Sequence, residues 1–378
     1  MPGQNKPHGL SWLRFPLESS AGRRYPEPPH SYRNPFQRDR DRVIHTRAFR
    51  RLENKTQVFA PGLSDHFRNR LTHTIEVAQI ARTLANVLDL NEDLVETLAL
   101  VHDIGHPPFA HAGEQELNRQ MSLFGDTFDH NLHCLRIVEN FESPYALFPG
   151  LNLTFEVREG MVKHSRDFNP GEVHEIDSFL PGLRPPVEAQ LIDLADEVAY
   201  NTADLDDAFA AGLFTPDQIA EAVPAYALLL EEIRSHYPAA DARVQFHECL
   251  RRLINMLVSG LIEGTYAACC DARVRDVEDV RHHQLRLVRF SEPALATNAA
   301  LKAFMRDHVY FTPELLEERA RSVKRISDLF AFYLLHPDRL PEHYLEQAQT
   351  RPPHQVVCEY IAGMTDGYCA RLHLELID

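Results

Sequence analysis

From about residue 38 onward, apolar side chains recur at three- and four-residue steps instead of alternating. Over 71–88 the series is Leu71, Ile75, Ala78, Ala81, Leu84 and Leu88, with polar residues between. That is the pattern of a helix that buries one face. Residues 92–104 repeat it, with Asn91 as the cap and Gly105 and Pro107-Pro108 as the stop. Helical periodicity returns at 113–121, 130–142, 188–210, 216–235, 241–271, 293–308, 313–335 and 355–374. There is no run of alternating strands and no internal repeat, so the expected fold is all-α. Residues 1–36, rich in Pro and Arg (RRYPEPPHSYRNPF), read as an irregular arm. The stretch 165–187 is long, charged and Pro/Gly-rich. It reads equally as a surface loop or as a lid near a site.

Four polar residues interrupt the apolar helical pattern. His73 sits in RLTHTIEVAQIARTLA, His102 and Asp103 in ETLALVHDIGHPPFAHAGE, and Asp196 in EAQLIDLADEVAYNTADLDDA. Taken singly, a helical His is usually packed or solvated and such an Asp is usually a cap. Together they form a mixed N/O set that suits a divalent ion of the Mn, Fe, Ni, Zn or Mg group better than a thiolate-preferring one. If the helices converge, such an ion can polarise a phosphate oxygen or acidify a bound water. Successive helical residues turn by about 100°. His102 and Asp103 can therefore reach one ion only near a helix end, and Gly105 supplies that end.

Composition narrows the class. The chain has 378 residues, 44% hydrophobic and 25% charged, as in a globular protein. The net charge of −16 disfavours polyanion binding over the whole surface. The six cysteines form no CxxC pair and read as reduced thiols. No apolar signal core opens the chain, and no stretch approaches the roughly 18 apolar residues of a membrane span. A cytoplasmic protein without a membrane partner is expected. Against the overall charge, residues 38–55 carry seven basic residues (Arg38, Arg40, Arg42, Arg47, Arg50, Arg51, Lys55) and three acidic ones. The Arg38–Arg42 part reads as a solvated helix face with i,i+4 pairs. The rest, with Arg68 and Arg70, reads as a phosphate-binding wall. Arg70 lies one helical turn before His73, on the same face.

Two further constellations carry chemistry. His111 and Glu114 are three apart and share a face if that segment is helical. A carboxylate-oriented His is an acid–base arrangement, although a capped helix start with solvated side chains fits the same string. Asp196, Tyr200 and Asp204 form one polar stripe on an otherwise apolar helix, a solvent face or a pocket wall. The metal candidate at its head favours the pocket.

The strings FRRLENKTQVF, RNRLTHTIEVAQIAR, HDIGHPPFAHAGE, FDHNLHCLRIV, LADEVAYNTADLDDA and VCEYIAGMTD occur in that order. Together with His73, His102-Asp103 and Asp196 they resemble the HD-domain phosphohydrolases, and within these the bacterial deoxynucleoside triphosphate triphosphohydrolases of the dGTPase-like, type 2 group. The resemblance runs from about residue 20 to about residue 370. It implies one HD-type helical domain over 37–378, with a metal-bearing core at 65–210 and additional C-terminal helices at 211–378. It implies a divalent metal (Mn, Mg, Fe, Ni or Co) on His73, His102, Asp103 and Asp196. His111, Glu114 and His130 become the catalytic group. Gln57, Val58, Arg70, His106, Lys163, Tyr200, Asp204 and Tyr360 become substrate contacts. Gln57 would bond the 3′-hydroxyl, Val58 would crowd the 2′ position and Asp204 would face the deoxyribose. The implied reaction cleaves a dNTP, dGTP or several, to deoxynucleoside and tripolyphosphate, in a homo-oligomer for which a hexamer is common. An allosteric nucleotide is left open. Single-stranded DNA is disfavoured by the charge but not excluded by the local basic face. The rival readings are an HD hydrolase of another phosphoester and a non-catalytic nucleotide or single-strand binder. His133 and Gly367 stand where the family commonly has an amide and a basic residue; neither touches a proposed ligand.

Overall fold

The computed structural model describes residues 8–58 and 67–377. Among the described residues every regular element is helical, and the only extended pairings are the isolated bridges Arg23–Thr154 and Thr56–Asn69. The all-α expectation holds. In chain order the helices are α1 Pro35–Ile44, α2 Arg47–Arg51, α3 Arg70–Leu88, α4 Glu92–Val101, α5 Ala110–Ser122, α6 His130–Arg136, α7 Phe155–Val162 and α8 Val187–Ala210. They continue with α9 Pro216–Ala222, α10 Pro224–His236, α11 Ala242–Ala272, α12 Val277–His282, α13 Glu292–Met305, α14 Pro313–Leu335, α15 Glu342–Ala348, α16 Pro353–Ala362 and α17 Asp366–Leu376. The chain divides into two compact units interleaved in sequence. One comprises residues up to Arg40, His73–Leu100 and Thr154–Thr312; the other comprises Asp41–Thr72, Val101–Leu153 and the residues from Pro313 on.

In the first unit α8 packs against α7, α11 and α13, and α10 packs along α9 and α11. The N-terminal arm is irregular, as expected, yet it is not loose. Leu10, Leu13 and Phe15 are buried, and the Phe15 N–H donates to Glu188 at 2.8 Å. The 165–187 stretch is likewise fastened. Phe168, Ile176 and Phe179 are buried, and Lys163 Nζ donates to the carbonyls of Leu180 and Leu183, both at 2.9 Å. These anchors favour the surface-loop reading. By length and composition α11 could cross a membrane, which the sequence reading had not found in any stretch; half of its most apolar window is buried inside the protein.

In the second unit α5, α14, α16 and α17 pack together. Their shared core contains Leu117, Met121, Ile326, Phe330, Tyr333, Val357 and Ile361. Burying one such side chain contributes roughly 1.5–3 kcal/mol, so this cluster sets the position of α5.

Element boundaries depart from periodicity where backbone chemistry intervenes. The expected 216–235 helix breaks at Pro224, before which Val223 is extended, as the ring of a following proline requires. The expected 355–374 helix breaks around Gly363, and Thr365 caps α17 by accepting the Tyr368 N–H. The 130–142 and 293–308 helices loosen into π-helical turns at Ile137–Phe141 and Arg306–Tyr310. Helix α7 escaped detection because two of its buried positions are acidic. Glu156 accepts from Ser20 and Ala21, and Glu159 takes a bidentate pair from Arg281 at 2.7 and 2.9 Å. The solvated face expected at Arg38–Arg42 is corrected too: Asp39 is inaccessible and accepts from Thr154, while Arg42 is buried on the carbonyls of Leu151 and Asn152.

Candidate active site

Helix α4 stops at Val101, and the chain turns through His102–Gly105. The turn is what brings two adjacent side chains together: His102 Nε2 lies 3.6 Å from Asp103 Oδ1. Gly105 is required here for space. A Cβ would stand 2.1 Å from the His130 carbonyl oxygen, where α6 begins. His133, without a role in the sequence reading, is the clamp of this turn, its Nδ1 lying 2.8 Å from the Gly105 oxygen. Burial pushes its pKa down to about 3, so the ring is neutral and can donate. Lys55, fully buried, donates to the next carbonyl, that of His106.

Asp103 is the charge centre of this unit. Arg70 Nη1 sits 2.7 Å from Oδ2, and His106 Nδ1 sits 2.9 Å from Oδ1. Burial alone would raise its pKa, but Arg70, His102 and His106 hold the carboxyl well below the usual range. Arg70, expected at the phosphates, is thus 2% exposed and paired with the dyad carboxylate.

Helix α5 presents the second group. It opens on two left-handed residues, Phe109 (φ 64°) as its cap and Ala110 (φ 53°) at its first position. Glu114 is bonded more closely to His130 than to the expected His111: His130 Nδ1 lies 2.6 Å from Oε1, whereas His111 Nδ1 lies 3.7 Å from Oε2. Burial would raise Glu114, yet the bonds from His111 and His130 keep it ionised far below its ordinary range. The His106 ring lies 3.9 Å from that of His130 and 5.8 Å from that of His111. Burial, Arg70 and His130 all depress His106, so it is a neutral imidazole. The His111 side chain is 78% exposed, open to an incoming ligand. Within this unit the donor atoms of His106, His111 and Glu114 all lie within 4.8 Å of one another.

In the first unit His73 Nε2 bonds Asp196 Oδ1 at 2.8 Å. His164, which the sequence reading missed, faces the same carboxylate. Its Nε2 is 4.0 Å from Asp196 Oδ2 and its Nδ1 is 2.9 Å from Asp193. Asp193 is in turn paired with Arg286. His164 precedes Asp193 by 29 residues, so no spacing rule could have found the contact. The Asp196–Tyr200–Asp204 stripe is not a solvent face. Asp204 is 4% exposed and accepts from the Tyr310 hydroxyl at 2.6 Å. Burial raises its pKa to about 7, with Tyr310 opposing. Tyr200 is raised to about 12 by burial and neighbouring Glu197, with Lys302 beside it.

The remaining expected contacts differ in kind. Gln57 is half-buried with its side-chain oxygen buried and without a hydrogen-bond partner among the described residues; Val58 is also half-buried. Lys163 and Tyr360 are bonded within the helical framework. The Lys163 ammonium is buried and bonded to Glu159 and two carbonyls, which makes it an anchor of the 165–187 loop. Tyr360 packs edge-on against Tyr333, with its hydroxyl 3.1 Å from that of Tyr368, inside the helical core.

The HD domain family matches residues 70–201, and the phosphohydrolase-associated domain matches residues 288–375. The chain is 46% identical over 355 residues to a deoxyguanosinetriphosphate triphosphohydrolase-like protein of Ralstonia nicotianae, covering 94% of this chain and 91% of that one. Proteins of the same name from Azoarcus (45% over 358 residues, 94% and 93% covered) and Geobacter sulfurreducens (42% over 349 residues, 92% and 90% covered) are similar over the same extent.

Proposed function

Since the chain belongs to the deoxyguanosinetriphosphate triphosphohydrolase-like family of HD-domain proteins, we propose that it hydrolyses deoxynucleoside triphosphates to deoxynucleoside and tripolyphosphate. The observation that carries the reading within the structure is the chain of contacts from Asp103 through His106 to His130 and Glu114, with exposed His111 beside it. Carboxylates held ionised beside the neutral imidazole of His106 are suited to moving a proton at a reacting oxygen.

His73, His102, Asp103 and Asp196 are the proposed ligands of a divalent ion. Their donor chemistry fits: two imidazoles and two carboxylates, of which His73, His102 and Asp103 are 1%, 3% and 4% exposed. When bound, the ion (Mn, Mg, Fe, Ni or Co) would polarise the α-phosphate. Hydrolysis forms a bond from the water oxygen to the α-phosphorus and breaks the bond to the 5′-oxygen, which leaves with a proton. His111, oriented by Glu114, handles that proton transfer, and His130 holds Glu114 in place. Arg70 and His106 fix Asp103 and face the phosphates. Gln57, Val58, Tyr200 and Asp204 contact the sugar. The proposed setting is a cytoplasmic homo-oligomer.

The test is to incubate the purified protein with each dNTP, singly and mixed, with several divalent metals, and to identify the phosphorus product. Tripolyphosphate supports the reading. Pyrophosphate or orthophosphate from the same substrates would replace it with a different HD phosphoester hydrolase.

A further inference from the structure

Lys55 is buried in a way that packing does not explain. It is 2% exposed, and among the described residues its ammonium donates to two backbone carbonyls, those of His106 and Ala362 (3.4 Å). Asp366 and Asp103 act on its charge electrostatically, without bonding to it among the described residues. Taking an ammonium out of water is costly, and an apolar side chain of similar length would fill the space without that cost. What such a side chain would not do is hold the two carbonyls.

Further bonds radiate from the same short segment. The Lys55 carbonyl accepts the N–H of Arg70 at 3.1 Å, and the Arg70 guanidinium holds Asp103. The Thr56 N–H donates to Asp366 at 2.7 Å, and the other oxygen of Asp366 accepts the N–H of Phe109 at 2.9 Å. The carbonyl gripped by the Lys55 ammonium belongs to His106, whose ring lies 3.9 Å from that of His130. The turn from Gly105 to Phe109, which leads into α5 and His111, is therefore fastened to Lys55 and Thr56 at two points. Lys55 is extended (φ −117°, ψ 132°), and Thr56 pairs with Asn69 in an isolated bridge. Gln57 follows at once, its amide oxygen buried without a partner among the described residues.

We infer that Lys55 is a positioning residue that couples recognition of the sugar at Gln57 to the placement of His106 and α5, so that the 3′-hydroxyl is read in turnover and not in affinity. The inference rests on the proposed hydrolysis of dNTPs and adds to it a route between two parts of the site. A hydroxyl bonded to the Gln57 amide fixes that side chain and the segment behind it. The fixed segment keeps the ammonium on the His106 carbonyl, and the turn then presents His106 and His111 in one arrangement. A substrate without the hydroxyl still binds through its other groups, but the turn is less well placed. Misplacing a reacting geometry by about 1 Å costs on the order of a hundredfold in rate.

The test has two arms. The first is steady-state kinetics, with divalent metal added, on dGTP and 2′,3′-dideoxy-GTP, which differ only at the 3′ position. It is run on wild type, Lys55→Met, Lys55→Arg, Gln57→Ala and Lys55→Met/Gln57→Ala. In wild type the two substrates are expected to differ by about tenfold or more in kcat and by less than about twofold in KM. Lys55→Met should lower kcat for dGTP about tenfold, leave KM within about twofold and bring the kcat ratio of the two substrates close to one. Lys55→Arg keeps a cationic donor and should recover part of the ratio. The double variant should lose no more than Lys55→Met alone, the non-additivity expected of residues on one chain of bonds.

The second arm needs neither turnover nor a variant. Amide hydrogen exchange of the wild-type protein is followed with deoxyguanosine and with 2′,3′-dideoxyguanosine. Exchange between Gly105 and Ala110 should slow with the first and not with the second. A wild-type difference that lies in KM, a kcat ratio unchanged in Lys55→Met, or equal exchange with both nucleosides overturns the inference. A wild type that cleaves no dNTP removes the proposed reaction instead, and the exchange arm then decides the coupling by itself.

Discussion

Asp366 accepts the backbone N–H of Phe109 at 2.9 Å, and its second carboxylate oxygen accepts that of Thr56 at 2.7 Å. One buried side chain at the start of α17 thus ties together the turn before His111 and the segment before Gln57. Phe109 and Ala110 are both left-handed, which costs an L-residue roughly 1–2 kcal/mol each, so the turn must be held. Asp366→Asn replaces one acceptor with a donor facing an N–H. It is expected to cost about 1–3 kcal/mol in urea denaturation. It should also lower kcat on dNTPs more than it raises KM, with bound metal unchanged. A variant as stable and as active as wild type would show that other contacts hold the turn.

The proposed proton-transfer group makes a separable prediction. His111 is exposed and faces Glu114, so His111→Ala should keep metal and nucleotide affinity while lowering turnover about a hundredfold. His130→Ala should lose turnover through Glu114, whose closest partner it removes. Metal content by elemental analysis separates the cases, because loss of metal in His111→Ala would make that residue a ligand.

The metal candidates were the most legible part of the site. His73, His102, Asp103 and Asp196 stood out because a polar side chain inside an apolar periodicity is costly unless something binds it. The helix end at Gly105 was legible for a related reason, since two adjacent residues cannot share a helical face. Partners contributed from far along the chain were not legible. Nothing in the 163–165 string announces that His164 meets Asp193, and nothing near Asp204 announces Tyr310. The α7 helix was hidden by its own buried acids, Glu156 and Glu159. Lys163 and Tyr360 lay in family-like strings, but a string does not say which way a side chain points.

Each of the four proposed ligands should be indispensable. Asp196→Ala and His102→Ala are expected to abolish bound divalent metal, because a set of four has no spare donor. Full metal content and activity in Asp196→Ala would remove Asp196 from the site, leaving its bond to His73 a structural one.

Lys55 links the site to pH. It is fully buried, and burial first, then Arg51 and Arg70, pull its pKa down to about 7 against the pull of Asp366 and Asp103. In the unfolded chain it titrates at the model-peptide value of about 10.4. Between these two values the unfolded state binds more protons. The contribution of Lys55 to stability is therefore full above the unfolded pKa and lost as pH falls toward 7. Lys55→Met should flatten the rise in stability between about pH 7 and pH 10, measured by denaturant unfolding of both proteins at several pH values. Parallel curves would mean that the ammonium is solvated in the native protein.

The sugar gives the sharpest test. Gln57 has a buried amide oxygen without a partner among the described residues, Val58 is its apolar neighbour, and Asp204 is held by Tyr310. If these residues enclose a 2′-deoxyribose, dNTPs should be hydrolysed at least about tenfold better than the matching NTPs, the scale of one unpaired polar group. A substrate lacking the 3′-hydroxyl should also be slower, and Gln57→Ala should blunt that difference. Tyr310→Phe tests the part the sequence did not show. Without the hydroxyl, Asp204 loses the main interaction opposing its burial, so its pKa should rise further above 7. The carboxylate would then be protonated over the neutral range, and the preference for an intact 3′-hydroxyl should shift in a pH-dependent way. Comparing kcat/KM for dGTP, GTP and 2′,3′-dideoxy-GTP in wild type, Gln57→Ala and Tyr310→Phe decides it. If GTP is cleaved as fast as dGTP, the sugar contacts assigned to Gln57, Val58 and Asp204 fail, even with an intact metal site.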